Sequence, residues 1–269
     1  MMEYRALALD LDGTTLVGDD LPEVNKIALQ KAAAAGYEII VATARWIHMA
    51  QRVADQIGTP SVAIACSGAQ VHDPRVAEDI FDKRLPPDFV DELFAVCNQA
   101  RCIATVTVTD RVLLKLDGAP DPALLDEEMT WVKQLQRHDN DLPRIAAIQG
   151  SAVCQHIKDV LRPRFADRVN IYDSIGPTGK LVLTITAKDA NKGLALQAAC
   201  DHLNIEPRHV IAFGDAENDL AMFALAGASV AMGQAHQMVK DAADYVSARN
   251  DEGGVAQAIE LILAHGRLP

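Results

Sequence analysis

Apolar and polar positions alternate on two different scales along this chain. Residues 4–9, 38–42 and 61–65 are short, nearly continuous apolar runs, the pattern of strands buried on both faces of a parallel sheet. Longer stretches with helical spacing separate them. One, at 22–35, starts at Pro22 and stops before Gly36; the next, at about 46–57, stops before Gly58. Proline at the start and glycine past the end are the expected asymmetry of a helix. A turn at Ser67-Gly68-Ala69 leads into a further short strand at 70–72. Such strand–helix repetition demands a parallel sheet with helices on both faces.

Between about 81 and 187 the pattern changes. Helical spacing at 88–99, 122–136 and 152–165 is interleaved with period-2 segments at 102–109, 112–115, 168–172 and 180–186, which reads as half-exposed antiparallel sheet. From 191 the strand–helix alternation returns, with strands at 210–213, 229–232 and 245–246 and a last helix at 252–264. The predicted fold class is therefore α/β: a doubly wound, parallel-sheet, Rossmann-like core interrupted by an inserted α+β domain. The core takes residues 1–81 and 188–269, and the insert takes 82–187.

The chemistry begins where the first strand ends. Residues 9–15 read Leu-Asp-Leu-Asp-Gly-Thr-Thr, and the C-terminal edge of an open α/β sheet is where ligands bind. Alternate strand residues point the same way, so Asp10 and Asp12 can present oxygens to one site while Gly13 turns the chain. Carboxylates this close repel each other unless a cation or a shared proton lies between them, and a hard divalent ion such as Mg²⁺ is the natural solution.

This segment resembles the signature of the haloacid dehalogenase superfamily, and later motifs in order extend the resemblance over most of the chain. Thr43-Ala44-Arg45 follows the second strand and is similar to the Thr-Gly-Arg motif. Asn191-Lys192-Gly193 opens a helix and is similar to the lysine motif. Gly214-Asp215-Ala216-Glu217-Asn218-Asp219 matches GDxxND. The size and strand–helix order of the insert resemble the C2-type cap of the Cof-like subfamily (its C2B form), as do Met232-Gly233-Gln234-Ala235 and the segment from Asn250 to Val255.

The resemblance implies a Mg²⁺-dependent phosphatase acting on a small phosphorylated metabolite, a sugar phosphate foremost, through an aspartyl-phosphate. It implies Asp10 as nucleophile and Asp12 as the acid and base, protonated for the first step with help from the neighbouring Asp10 carboxylate. The metal would be held by the Asp10 carboxylate, the Asp12 carbonyl and Asp215. Phosphate would be received by the Leu11 and Ala44 amides, the Thr43 hydroxyl, Lys192 and Asn218, with Asp219 buttressing the loop or Lys192. Arg45 and Ser67 are candidate leaving-group contacts at the core edge, and Lys115, Arg137 and Lys180 are candidates in the cap.

Some positions depart from the family pattern. Ala44 replaces the usual glycine of its motif, Ser67 stands where Asn is common, Gln234 replaces a common Asn, and Thr15 replaces a common Leu, the last with no chemical consequence expected. Gly176-Pro177-Thr178-Gly179-Lys180-Leu181 only superficially resembles half of a P-loop, because Leu181 sits where a metal-binding Ser or Thr is needed. It reads as a hairpin turn.

Composition narrows the partners. A formal charge of −12 argues against nucleic acid or an anionic membrane, so an anionic substrate must be met by local positive charge. Apolar residues make up 49% but aromatics only 4%, so the core rests on Ala, Val, Leu and Ile. No segment is long and apolar enough to span a bilayer and the first residues do not read as a signal peptide, so a cytoplasmic protein is expected. The five cysteines form no CxxC pair and no zinc spacing, which reads as packed, reduced thiols, and none of the eight histidines is given a role. Two alternatives stay open: a phosphosugar mutase of the same fold, which a sugar bisphosphate would activate, and a non-catalytic metabolite sensor, which would bind without turnover. Oligomeric state is not legible.

Overall fold

The computed structural model describes residues 4–76, 78–109, 111–121, 125, 127–138, 141–175 and 180–269. In chain order its elements begin with β1 (Ala6–Asp10), α1 (Glu23–Ala34), β2 (Glu38–Ala42), α2 (Ile47–Ile57), β3 (Val62–Ala65), β4 (Gln70–His72) and β5 (Phe81–Asp82). Next come α3 (Pro87–Gln99), β6 (Ile103–Val108), β7 (Arg111–Lys115), β8 (Met129–Val132) and β9 (Pro143–Gln149). A helical run follows, α4 (Ser151–His156) continuing through a π-helical turn into α5 (Arg162–Arg164), and then β10 (Val169–Ile175) and β11 (Leu181–Ala187). The chain closes with α6 (Lys192–Leu203), β12 (Val210–Gly214), α7 (Leu220–Phe223), β13 (Ala228–Ala231), α8 (Gln237–Asp241), β14 (Tyr245–Val246) and α9 (Gly254–His265).

Two compact units result, one from the residues up to Phe81 together with Asn191–Pro269, the other from Asp82–Ala190. In the first, the strand order is β14-β13-β12-β1-β2-β3-β4-β5. β1 runs parallel to both β2 and β12. Its two faces bury different side chains: Ala6 and Ala8 on one, Leu7 and Leu9 on the other, each at most 1% exposed. The small alanines belong to a cluster with Ala195, Leu196 and Ala199 of α6. The order reverses at β1, which places the ends of β1 and β12 at the topological switch point of the sheet. The parallel pairing stops at β3, because the turn at 66–68 sends β4 back antiparallel to it.

The second unit is a six-stranded sheet in the order β10-β11-β9-β6-β7-β8. Its neighbours are antiparallel except β7 and β8, which are parallel. One face is sealed by Phe89, Leu93, Cys97, Ile157 and Leu161 from the helices, packed on Ala104, Val106, Ile148 and Ile185. Strand alternation puts another set of residues on the opposite face, where pairing aligns Tyr172, Thr184, Ala147, Thr105, Leu114 and Trp131 in a row. That row carries no charged side chain.

The sequence reading misassigned two strands. The helix expected at 122–136 lies partly outside the described residues, and within it Met129–Val132 is a strand. Thr130, Trp131 and Val132 have β-branched or aromatic side chains, and the run pairs with β7 instead of making helical turns. The central strand β9 was not assigned at all, since a short run such as Ile-Ala-Ala-Ile has no periodicity that separates strand from helix. Gly176–Gly179, expected to form a turn, lies outside the described residues.

Candidate active site

Asp10 ends β1 and is buried, the residue being 5% exposed. A fully buried lysine meets it: Lys192 Nζ donates to Asp10 Oδ1 at 2.5 Å and to Asp219 Oδ1 at 2.7 Å. Lys192 opens α6, a helix whose N-cap Asn191 accepts from the Leu194 amide at 2.9 Å. Asp219 is committed at both oxygens, for its Oδ2 accepts from the amides of Asp215 and Ala216, each at 3.0 Å. It therefore fastens the loop after β12 to Lys192.

Charge in this pocket is unbalanced. Asp10, Asp215 and Asp219 each bring one oxygen within 4.8 Å of the others', against the single ammonium of Lys192. Burial alone would lower the Lys192 pKa, but Asp10 and Asp219 beside it hold it above the usual lysine range. Burial, opposed by Lys192 and reinforced by Asp219 and Asp215, pushes the Asp10 carboxyl well above the usual carboxylate range. Burial and then Asp219 push Asp215 up to about 6. A divalent cation fits this surplus. The donors are hard carboxylate oxygens, and Asn218 adds a buried Oδ1 with no partner in the structure. Asp219 has no oxygen to spare, so Asp10 and Asp215 are the carboxylates open to a metal.

The loop following β1 is held from several sides. Gly13 has φ +78°, and a Cβ there would fall 2.4 Å from Asp215 Oδ2, so only glycine allows the two loops to approach. The Thr15 hydroxyl donates to the Asp10 carbonyl at 2.6 Å, a bracing contact at the end of β1. Buried Asn25 donates to the Thr15 carbonyl at 2.9 Å. Gln234 donates to the Gly13 carbonyl, while its Oε1 accepts from the Asn250 amide at 3.0 Å. Asn250 in turn donates to the Leu16 carbonyl at 2.9 Å. Leu11 is fully buried, and its carbonyl accepts from the amides of Thr14, Thr15 and Leu16.

The Asp12 carboxylate stands outside the cluster of Asp10, Asp215 and Asp219, although its charge is felt at Asp215. β1 stops at Asp10, and the chain turns before the alternation can continue. The Asp12 carboxylate is half-exposed and faces Arg45, whose Nε lies 3.0 Å from both oxygens. Arg45 also reaches Asp19 Oδ1 at 2.7 Å.

Thr43 is fully buried, and its hydroxyl accepts from the Arg45 amide at 3.1 Å, leaving its own hydrogen to donate. Ala44 is exposed and precedes α2, which begins only at Ile47. Ser67, 6% exposed, joins this region through its backbone, with its amide on the Thr43 carbonyl at 3.0 Å. In the second unit, Lys115 pairs with Ala104 and so lies on the helix-covered side of the sheet. Arg137 pairs with Asp91 of α3, and Lys180 is exposed.

Sequence patterns missed Thr14, Thr15, Asn25, Gln234 and Asn250 as site-forming residues. They act by individual polar contacts, the Thr14 hydroxyl donating to Asp215 Oδ1 at 3.5 Å, which leave no periodic trace. The hints were Thr15 and Gln234 as departures from the motifs and Asn250 as the start of a segment resembling the subfamily.

A family profile described as haloacid dehalogenase-like hydrolase matches residues 7–259. The 5-amino-6-(5-phospho-D-ribitylamino)uracil phosphatase YcsE of Bacillus subtilis is 26% identical over 260 residues, covering 96% of this chain and 95% of that protein. The HMP-PP phosphatase of Cronobacter sakazakii is 30% identical over 237 residues, covering 86% and 85%. Among solved structures, a haloacid dehalogenase-like hydrolase from Bacteroides thetaiotaomicron superposes with a TM-score of 0.82 at 24% identity, covering 96% of this chain and 99% of that one. No helix among the described residues is long and apolar enough to cross a membrane. The chain belongs to the haloacid dehalogenase-like hydrolase family and is a phosphatase within it.

Proposed function

We propose that this phosphatase hydrolyses the phosphate monoester of a small metabolite, a sugar phosphate foremost, with Mg²⁺ and through an aspartyl-phosphate on Asp10. The observation that carries the reading is the 2.5 Å contact between Lys192 Nζ and Asp10 Oδ1 inside a pocket of three carboxylates. Oδ1, held by Lys192, keeps a second lone pair for the metal, and the other oxygen of Asp10 is left to attack phosphorus. Asp10, Asp215 and the Asp12 carbonyl would hold Mg²⁺, which when bound draws negative charge from the phosphoryl oxygens. The Thr43 hydroxyl, the Leu11 and Ala44 amides, Lys192 and Asn218 would receive those oxygens. Asp12 gives a proton to the leaving oxygen and later takes one from the attacking water. Arg45 sets the direction of the Asp12 carboxylate.

Selection among metabolites is assigned to the inserted unit, read as a C2-type cap. The two named relatives support a small phosphorylated substrate, since both carry one in their names. Phosphate release across a panel of phosphorylated metabolites, with and without Mg²⁺, tests the reading in wild type and Asp10→Ala. Release that needs Mg²⁺ and vanishes in the variant is expected. Undiminished release by Asp10→Ala would overturn the assignment of the nucleophile.

A further inference from the structure

Three thiols share the helix-covered interior of the second unit. Cys97 lies in the last turns of α3, Cys102 just ahead of β6, and Cys154 in α4, all within one buried cluster. Cys102 Sγ donates to the Cys97 carbonyl at 3.4 Å, and the two thiols stand within hydrogen-bonding reach of each other. The Cys154 thiol is turned to the Ile148 carbonyl, also at 3.4 Å. Cys97 and Cys102 are thus the paired thiols of the cluster.

A cation accompanies them. Lys115 is only 4% exposed. Its ammonium lies 3.5 Å from the half-exposed Asp117 carboxylate and within hydrogen-bonding reach of Cys102 Sγ. A lysine beside a thiol favours the thiolate, which is the nucleophilic form. The Cys97 thiol and then Lys115 bring Cys102 down to about 7, against burial and Asp117. Cys97 moves the other way, upward, through its hydrogen bond to Cys102 and its burial. Of the two, Cys102 is the one favoured as the thiolate and Cys97 the one kept as the thiol. A cavity of about 290 Å³ opens beside the connecting loop, lined by Asn98, Arg101, Lys115, Asp117, Lys133 and Gln134. Water occupies about 30 Å³ per molecule in the liquid, so the cavity can hold a hydroperoxide beside Lys115.

We propose that Cys102 and Cys97 are a hydroperoxide-oxidised thiol pair that closes to an intramolecular disulfide. The Cys102 thiolate attacks one peroxide oxygen; the O–O bond breaks, and the departing hydroxide takes a proton to leave as water. Cys102 becomes a sulfenic acid. Cys97 sulfur then attacks Cys102 Sγ, the S–O bond breaks, and the hydroxyl leaves as a second water with the Cys97 proton. The two sulfurs together lose two electrons and the peroxide gains them.

The test is to treat the native, full-length protein with hydrogen peroxide, alkylate the remaining thiols and map the peptides by mass. Two of the five thiols should disappear into a Cys97–Cys102 crosslink that dithiothreitol reverses. At neutral pH, iodoacetamide should label Cys102 ahead of the other four. In Cys97→Ser, dimedone should trap a sulfenic acid on Cys102. Retention of all five thiols, or a crosslink that maps to Cys154 instead, would overturn the proposal. The wild-type map decides this even if a serine variant folds poorly.

Discussion

Arg45 grips Asp12 from the side, with its Nε 3.0 Å from each carboxylate oxygen and its Nη2 2.5 Å from Oδ1. The grip exists because β1 ends at Asp10 and the chain turns there, sending the second aspartate of the motif toward the loop ahead of α2. Arg45 also spans to Asp19, so one guanidinium fixes two points of the loop after the first strand.

This pair is half-exposed on the aspartate side, and exposed ion pairs are worth only about 0–1 kcal/mol. Arg45→Ala should therefore unfold at nearly the wild-type urea concentration. Its effect should fall on turnover, because a positioned acid and base contributes about 10²–10⁴-fold and part of that depends on orientation. A fall in kcat of about tenfold or more is expected, with a smaller change in KM. Unaltered kcat would mean that the contact is surface decoration.

Lys192 offers the opposite case. Removing one partner of a buried ion pair costs about 3–5 kcal/mol, because the remaining charge is stranded. Lys192→Met strands two carboxylates, Asp10 and Asp219. A loss of stability of at least that order is expected in urea unfolding, together with loss of phosphate release. A cost below about 1 kcal/mol would mean that the two carboxylates are held neutral without it.

The chain's own pattern made the parallel core legible, because strands buried on both faces and helices bounded by Pro and Gly carry local signals. The resemblance of its motifs, rather than periodicity, pointed to Asp10, Lys192, Asp215 and Asp219, which the fold brings together from three separate segments. The residues that brace those groups were not legible. Thr15, Asn25, Gln234 and Asn250 each satisfy a backbone carbonyl, and nothing local distinguishes such a side chain from a solvated one. Lys115 was read as a candidate substrate contact because it is a polar residue of the inserted domain. Its register opposite Ala104 turns it inward instead.

Asn25 is a clean test of that bracing. It is fully buried, donating to the Thr15 carbonyl at 2.9 Å and accepting from the Ala256 amide at 3.2 Å. Asn25→Ala leaves the buried Thr15 carbonyl and the half-buried Ala256 amide without those partners, and a buried unpaired group costs about 1–3 kcal/mol. A thermal midpoint several degrees lower is expected, with kcat reduced less than in Arg45→Ala. A variant as stable as wild type would show that water replaces the amide.

Metal and pH are linked through Asp215. Its carboxyl titrates near 3.8 in the unfolded chain and is pushed up to about 6 in the folded one. The folded state then binds the proton more tightly. Its stabilising effect is fully present below about pH 4 and is lost as pH rises through 6, a change of about 3 kcal/mol. Asp73 contributes in the other direction, since its neighbours hold it down at about 2. Its stabilisation is lost only as the pH falls below 4 toward 2, so the two windows barely meet. A cation between Asp10 and Asp215 favours their ionised forms and should offset the loss. Mg²⁺ should therefore raise the unfolding midpoint more at pH 7 than at pH 5. Asp215→Asn should remove most of that difference and lessen the metal-free fall in stability between pH 4 and 6. If Mg²⁺ raises the midpoint equally at both pH values, or Asp215→Asn leaves the difference intact, the ion is bound elsewhere.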